Sequence, residues 1–250
     1  MTVRLVFLGT GAAGGTPGTG RSARHESSLL VRDAATSILI DATRHFAQQA
    51  HLLDRVDALL LTHAHRDASG GIPALRPWLH GRGIDQLRVL AHPDTIAAIE
   101  ARYRQLDHCN FVPTPARSRR RIGAWTAEAL EVPHASESHF PTYVWRLRGK
   151  TPRSTATVIY ASDVATLTPE LERFSRGAGT LVVDGATWRR RIFSHLRIDE
   201  DLPRLCAWDV GQILLTQIGR SAPPNGTLTR LVAGLCPRAR PAYDGLVVRV

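Results

Sequence analysis

The sequence predicts an α/β protein in which layers of sheet pack against layers of helix. Short runs rich in Val, Ile and Leu recur along the chain, and each ends at Gly, Pro, Asp or His. Stretches with helical periodicity lie between these runs. No internal repeat, low-complexity tract or linker interrupts the pattern, so we expect one domain over residues 1–250.

The apolar runs predict strands, several of them buried on both faces. In chain order they are VRLVFL (3–8), SSLLV (27–31), SILID (37–41), VDALLLT (56–62), QLRVLAH (86–92), WTAEALEV (125–132), YVWRL (143–147), TVIYAS (157–162), TLVVD (180–184), ILLTQ (213–217) and GLVVRV (245–250).

Four segments predict helices: 44–53, 92–106, 168–175 and 197–209. We expect Asp94 to cap the second of these, and Thr168 before Pro169 to begin the third. The segment FVPTPARSRRRIGA, residues 111–124, is the most loop-like interior stretch, and we expect it to be a connection within the domain.

Composition limits the class of protein. A hydrophobic content of 43% with 22% charged residues is ordinary for a globular chain, and no apolar run reaches the roughly 18–20 residues of a membrane span. The N-terminal residues predict a first strand rather than a signal peptide. Cys109, Cys206 and Cys236 are odd in number and widely spaced, which argues against a disulfide framework or a thiolate zinc site and favours a reducing cytoplasm.

The net charge of +10 raises the question of a nucleic-acid partner, and RSRRR (117–121) and WRRR (188–191) concentrate that charge. Only three aromatic residues, Trp125, Trp188 and Phe193, lie near these clusters, too few to predict a stacking platform. A solvated basic face is therefore favoured over a nucleic-acid site, and steering of an anionic substrate by the same charge stays open.

The loop GTGAAG, residues 9–14, follows the first strand and matches the pattern G-x-G-x-x-G. A dinucleotide-binding fold requires a helix to begin there. Further glycines and a proline follow instead, over residues 15–20, and they disfavour a helix. We expect a tightly turning loop near a ligand.

Polar side chains follow several of the predicted strands, where ligand sites of α/β sheets form. His63 and His65 come after ALLLT, His134 after ALEVP, Asp163 after VIYAS, and Gln217 after ILLT. Imidazole nitrogens suit zinc, and a carboxylate can bridge to a second, harder ion. Each residue taken alone also has an ordinary explanation as a turn or capping residue.

The chain resembles the metallo-β-lactamase-fold hydrolase superfamily nearly end to end. The resemblance rests on FLGTG at 7–11, THAHRDASG at 62–70, the later His134 and Asp163, and LTQ at 215–217. The segments ESSLLV, SHLRIDEDL and AYDGLVV are similar to the branch that holds a cyclic-phosphate phosphodiesterase and tRNA 3′-end endonucleases. The fold implied is a four-layer αββα sandwich with metals at one edge, between the two sheets.

The resemblance implies a complete first metal site and an altered second one. His63, His65 and His134 match the first site, and Asp163 matches the aspartate that bridges both sites. The second site keeps Asp67, but Ala68 and Gln217 stand where the family has histidines. We therefore expect one firm zinc site and a weak, oxygen-rich second site made by Asp67, Asp163 and the Gln217 amide, which is either empty or takes manganese or magnesium.

The function implied is metal-dependent hydrolysis of a small anionic phosphodiester, cyclic or linear, or of a nucleotide. One zinc ion suffices to generate hydroxide. The resemblance suggests that His195 faces the substrate phosphate, and Asp67 is the other catalytic candidate. Two alternatives stay open: a catalytically reduced metal-binding sensor or interaction module, and a hydrolase of a carboxylic ester, lactone or thioester. The branch also suggests a homodimer, and lesser candidates near the site are His25, Asp41, His45, His139 and Asp184.

Overall fold

The structure is a computed structural model that describes residues 2–134, 141–150 and 155–250. The strands are β1 (Arg4–Gly9), β2 (Ser28–Arg32), β3 (Ser37–Ile40), β4 (Ala58–Leu60), β5 (Leu87–Ala91), β6 (Cys109–Pro113), β7 (Arg119–Ile122), β8 (Trp125–Val132), β9 (Thr142–Lys150), β10 (Thr155–Ala161), β11 (Ala178–Asp184), β12 (Val210–Thr216), β13 (Ala239–Pro241) and β14 (Val247–Arg249). The helices are α1 (Phe46–Gln49), α2 (Arg66–Ser69), α3 (Ile72–His80), α4 (Pro93–Arg102), α5 (Pro169–Ser175), α6 (Ile198–Cys206) and α7 (Asn225–Leu235).

Within the described residues, the strands form two seven-stranded sheets. The first has the order β14-β1-β2-β3-β4-β5-β6, and the second has the order β13-β12-β11-β10-β9-β8-β7. Each sheet is mixed: β3 to β6 pair in parallel in the first, and β10 to β13 in the second. Helices cover the outer faces, so the four-layer αββα sandwich expected from the sequence is confirmed.

Among the described residues, three apolar cores hold these layers together. The middle core lies between the sheets and includes the fully buried rings of Trp125, Trp145 and Tyr160. Gly149 on β9 makes this packing fit, because a Cβ there would come 2.6 Å from the indole ring of Trp125. The outer cores join the first sheet to α1, α3 and α4, and the second sheet to α5, α6 and α7.

The topology brings several strand ends to one edge of the sandwich. Parallel pairing puts the ends of β3 and β4 together, and likewise those of β10, β11 and β12. Strand β8 runs in the same direction as β10, because both are antiparallel to β9. At this edge the indole nitrogen of Trp145 donates to the Leu61 carbonyl at 3.0 Å, and the Ala12 N–H donates to the Ile218 carbonyl at 3.3 Å. The two sheets are thus tied together where their polar ends meet.

The expectation of a loop over residues 111–124 was wrong. The segment holds the end of β6 and all of β7, and each of these is an edge strand of its sheet. Edge strands bury little surface, so arginines and prolines are tolerated there and hide the alternation that marks a strand. Helices α2, α3 and α7 were also not predicted; α3 contains two prolines, one of them in its first turn.

Two finer expectations also need correction. Helix α4 is capped by His92, whose ring accepts a hydrogen bond from the Asp94 N–H at 3.1 Å, and not by the Asp94 side chain. Cys206, at the end of α6, forms a disulfide with Cys236, just after α7, and their Cα atoms are 5.7 Å apart. The pairing of α6 with α7 brings together cysteines that are 30 residues apart in sequence. The prediction of a reducing compartment therefore loses the observation on which it rested.

In the described part of the chain, no helix is long and apolar enough to cross a membrane. The glycine-rich loop, which lies wholly within the described residues, begins no α-helix. Its Gly14 and Gly15 have positive φ angles, and the Gly14 N–H donates to the buried Glu26 carboxylate at 2.8 Å. As expected, this loop turns tightly beside the polar edge and lacks the geometry of a dinucleotide site.

Candidate metal centre

Three histidines and two aspartates converge at the shared edge. His63 and His65 follow β4, His134 follows β8, Asp163 follows β10, and Asp67 lies in α2. Within each of three overlapping groups, one potential ligand atom from each residue lies within 4.8 Å of the others. The groups are His63, His65 and His134; His134, Asp163 and His195; and His63, Asp67 and Asp163.

A buried chain of hydrogen bonds orients His63. Asp41, at the end of β3, accepts bonds from the Thr62 N–H at 2.8 Å and from the Thr62 hydroxyl at 2.9 Å. Because that hydroxyl proton goes to Asp41, the His63 Nδ1–H donates to the Thr62 oxygen at 2.9 Å. This assigns the lone pair of the ring to Nε2, the atom on the side of Asp67. Burial lowers the pKa of His63 to about 3, so the ring is neutral, as a metal ligand must be.

His134 and His195 are held by a turn over residues 192–195. The Nδ1–H of His134 donates to the Ser194 carbonyl at 2.8 Å, which leaves Nε2 to face Asp163 at 3.7 Å. His195, the last residue of the turn, donates from Nδ1 to the buried Asp184 at 2.6 Å. Burial is the largest single influence and would lower the pKa of His195, but the charge and hydrogen bond of Asp184, with the charges of Asp163 and Asp67, together outweigh it and raise the pKa to about 9. His195 is therefore a cation beside the cluster.

Gln217 bridges the two carboxylates of the cluster. Its side-chain nitrogen donates to Asp163 Oδ1 at 2.7 Å and lies 3.4 Å from Asp67 Oδ2. The opposite orientation would set the amide oxygen against two carboxylates, so the electrostatics favour nitrogen as the facing atom. Asp163 also accepts a hydrogen bond from the Ser162 hydroxyl at 2.5 Å.

The surroundings of Asp163 and Asp67 shift the pKa values of these two carboxyl groups in opposite directions. Burial alone would raise the pKa of Asp163, but the neighbouring histidines, with His63 the strongest, hold it at about 2. Burial, followed by the charge of Asp163, raises the pKa of Asp67 to about 6. Asp163 is therefore an ionised oxygen donor at neutral pH.

The donor set fits zinc at the first site. Three imidazoles and one carboxylate are ligands that zinc commonly takes in a tetrahedral arrangement, and hydrogen bonds to the protein hold the outer nitrogens of His63 and His134. Ala68, 2% exposed, supplies no donor to a second ion, and the Gln217 nitrogen already occupies one oxygen of Asp163. The second position thus consists of carboxylates bridged by an amide.

The lesser candidates have mostly structural partners. His25 pairs with Asp244 at 3.0 Å, and His45 precedes α1 and contacts the buried Glu26. Asp41 and Asp184 act through Thr62 and His195 and lie outside the ligand groups. His139 lies outside the described residues. Sequence reasoning missed the Ser194 carbonyl and the Ser162 hydroxyl, because a backbone acceptor and an ordinary serine leave no distinctive pattern.

Comparison with known proteins decides the family. Residues 36–216 match the model of the beta-lactamase superfamily domain, which is more than half of the chain and includes every residue of the cluster. The chain belongs to this superfamily. The resemblance inferred from the sequence motifs is thereby confirmed.

Solved structures support the same fold. A diphosphatase of the PhnP family is 20% identical with a TM-score of 0.85, over 100% of this chain and 98% of that one. The zinc-bound PqqB of Methylobacterium extorquens is 17% identical with a TM-score of 0.83, over 99% of this chain and 100% of that one. At these identities the similarity shows a shared fold, and the activities of those proteins are not transferred to this chain.

An octanoyltransferase of Porphyromonas gingivalis is 26% identical over 98% of this chain. The chain spans about half the length of that protein, 51%. Its name describes the whole of a longer protein and does not locate octanoyl transfer in the matched half.

Proposed function

We propose that this protein is a metal-dependent phosphodiesterase that acts on a small anionic substrate at a single metal ion. The observation that carries the proposal is the overlap of three groups of possible ligand atoms, each within 4.8 Å of one another. His63 and His134 join the His65 group to the groups that contain Asp163, and His195 belongs to one of the latter. A divalent ion bound there supplies Lewis-acid polarisation and lowers the pKa of water to about 7. The ion we expect is Zn²⁺, with a second, weak position that is empty or takes Mn²⁺.

The residues of the chain then have distinct roles. Asp163, His63, His65 and His134 hold the ion. His195 has its Nδ1 fixed on Asp184, so its Nε2 donates to a phosphate oxygen or to the leaving oxygen. The net charge of +10 favours the approach of an anionic phosphate diester.

The decisive experiment combines metal content with turnover. We expect about one zinc per chain by mass spectrometry, and hydrolysis of bis(p-nitrophenyl) phosphate or 2′,3′-cyclic nucleotides with added zinc or manganese. His63→Ala should lose both metal and activity, whereas His51→Ala, an exposed histidine outside the site, should lose neither. Protein that binds metal but turns over neither substrate with any added metal contradicts the proposal and supports the sensor or interaction module.

A second candidate is hydrolysis of a carboxylic ester or thioester. The observation that favours it is the match to half of an octanoyltransferase, a protein named for acyl transfer. The same site geometry serves both reactions, because a polarised carbonyl and a polarised phosphoryl group need the same kind of donor. The kcat/KM values for p-nitrophenyl octanoate and an octanoyl thioester, compared with those for the phosphodiesters, distinguish ester or thioester hydrolysis from phosphodiester hydrolysis.

A further inference from the structure

The arginine-rich segment RSRRR divides into side chains with different surroundings. Arg117 pairs with Glu170, and Arg120 points away from its two neighbours and donates to the Pro113 carbonyl at 3.2 Å. Arg119 and Arg121 alternate on β7 and face outward from the second sheet. They line a cavity of about 550 Å³ near the start of β8, at the opposite end of that strand from His134.

This cavity is strongly cationic. Its lining includes five cationic side chains and one carboxylate, that of Glu128. The cationic residues lie in two rows, on β7 and on β9, with β8 running between them; they are Arg119, Arg121, Arg146, Arg148 and Lys150. No residue of the metal cluster lines this cavity, so its charge needs a separate explanation.

The strand register places two similar rows of three paired residues side by side across this face, each row with one residue from β7, one from β8 and one from β9. We call each row a rung. In the first rung, Arg119 pairs with Glu128, which pairs with Arg146. The Glu128 carboxylate accepts hydrogen bonds from both arginines, at 3.0 and 2.8 Å. Burial alone would raise the pKa of Glu128, but these two bonds lower it. The first rung is therefore an arginine–carboxylate–arginine arrangement joined by two charge-assisted hydrogen bonds.

The second rung has the same arginines but lacks the carboxylate. Arg121 pairs with Thr126, which pairs with Arg148. In the described part of the chain, no carboxylate is hydrogen-bonded to Arg121 or Arg148. Burial, followed by the nearby charge of Arg146, lowers the pKa of Arg148, and the charge of Glu128 offsets this only in part. An anion above Thr126 would relieve this.

We propose that a phosphate group binds above Thr126, between Arg121 and Arg148, in the position that corresponds to the Glu128 carboxylate of the neighbouring rung. Guanidinium groups recognise phosphate oxygens as they recognise carboxylates, by paired hydrogen bonds. The phosphate comes either from a small phosphorylated molecule or from the backbone of a single-stranded nucleic acid. The cavity has room for more than one phosphate group, and Lys150 lies two residues beyond Arg148 on the same face.

The test places a carboxylate of the protein itself in the proposed phosphate position by substitution of Thr126. Thr126→Glu repeats the first rung in the second, and Thr126→Gln is the matched neutral control. Binding of inorganic phosphate to the metal-loaded full chain is measured by calorimetry at low ionic strength. A single-stranded DNA dodecamer, measured by fluorescence anisotropy, forms the second arm.

We expect Thr126→Glu to weaken phosphate binding at least tenfold, the effect of losing one charge-assisted contact, while Thr126→Gln binds as the wild type does. Unchanged phosphodiesterase activity and melting temperature show that the variants are folded; should Thr126→Glu fail to fold, Arg148→Gln replaces it. Phosphate binding without DNA binding identifies a small ligand, and binding of both identifies nucleic acid. Wild-type protein that binds neither, or Thr126→Glu that binds as well as wild type, overturns the proposal.

Discussion

Substitution of Gln217 tests whether its amide bridges Asp67 and Asp163 and thereby excludes a second metal ion. Replacing it by Glu conserves the shape of the side chain and changes a donor into an acceptor. The hydrogen bond to Asp163 at 2.7 Å is charge-assisted and is worth about 2 kcal/mol, whereas the 3.4 Å contact with Asp67 adds little. Gln217 has a φ of +58°, in the left-handed region. Glu and Met at this position carry the same backbone strain, so the strain cancels when the variants are compared.

In the metal-free protein, Gln217→Glu adds a third carboxylate to two that are already close. A like charge at 2.7 Å would cost about 6 kcal/mol at an effective dielectric constant of 20, and uptake of a proton by one of the three groups limits this cost. We therefore expect a total loss of at least about 3 kcal/mol of unfolding free energy at pH 8 in EDTA. Gln217→Met removes the donor without adding charge and should lose only about 2 kcal/mol.

When divalent metal is present, Gln217→Glu should no longer be the less stable of the two variants. Three carboxylates form an oxygen-rich site, so this variant should bind about two divalent ions per chain, and Mn²⁺ should stabilise it more than it stabilises the wild type. Urea unfolding with and without EDTA, together with calorimetric stoichiometry, measures both effects. If both variants unfold in EDTA at the wild-type urea concentration, the amide does not bridge the carboxylates. If Gln217→Glu still binds one ion, the amide is not what excludes the second.

Three further predictions concern the support of the site and of the fold. Thr62→Val, which breaks the contact that orients His63, should weaken zinc binding by about 10–100-fold in a competition titration, whereas Thr62→Ser should not. His195→Ala should lower kcat by about 10²–10⁴-fold at unchanged zinc content; an equal loss of zinc would make it a ligand instead. The Cys206–Cys236 disulfide should leave one thiol titratable in denaturant instead of three, and its reduction should cost about 2–4 kcal/mol of unfolding free energy.

The central strands were predictable from the sequence because they are buried on both faces. Leu59 and Leu60 in β4 and Leu214 in β12 are fully buried, so an uninterrupted apolar run is the only pattern that such positions allow. The edge strands β6 and β7 were not predictable in this way. Their arginines and prolines reflect exposure at an edge, and local composition cannot separate an exposed strand from a loop.

The grouping of the candidate ligands was predictable for a related reason. Polar residues directly after buried parallel strands meet at the sheet edge. The family motif then assigned each of them to the first or the second metal position. The atom that each side chain presents was not predictable. Gln217 was expected to offer its amide oxygen to a metal, and whether oxygen or nitrogen faces Asp163 depends on a neighbour 54 residues away in the chain. The Cys206–Cys236 pair was missed likewise, because it depends on the packing of α6 against α7.

Protein contacts hold the candidate ligands in place without help from an ion. Thr62 fixes His63, the Ser194 carbonyl fixes His134, and the Ser162 hydroxyl fixes Asp163. Metal binding therefore need not order the loops, in contrast to small zinc domains that unfold without metal. We expect EDTA to remove the ion and leave the near-ultraviolet circular dichroism spectrum unchanged, with a loss of stability that follows mass action alone. Loss of the near-ultraviolet signal on chelation would mean that the ion, and not these hydrogen bonds, organises the edge of the sandwich.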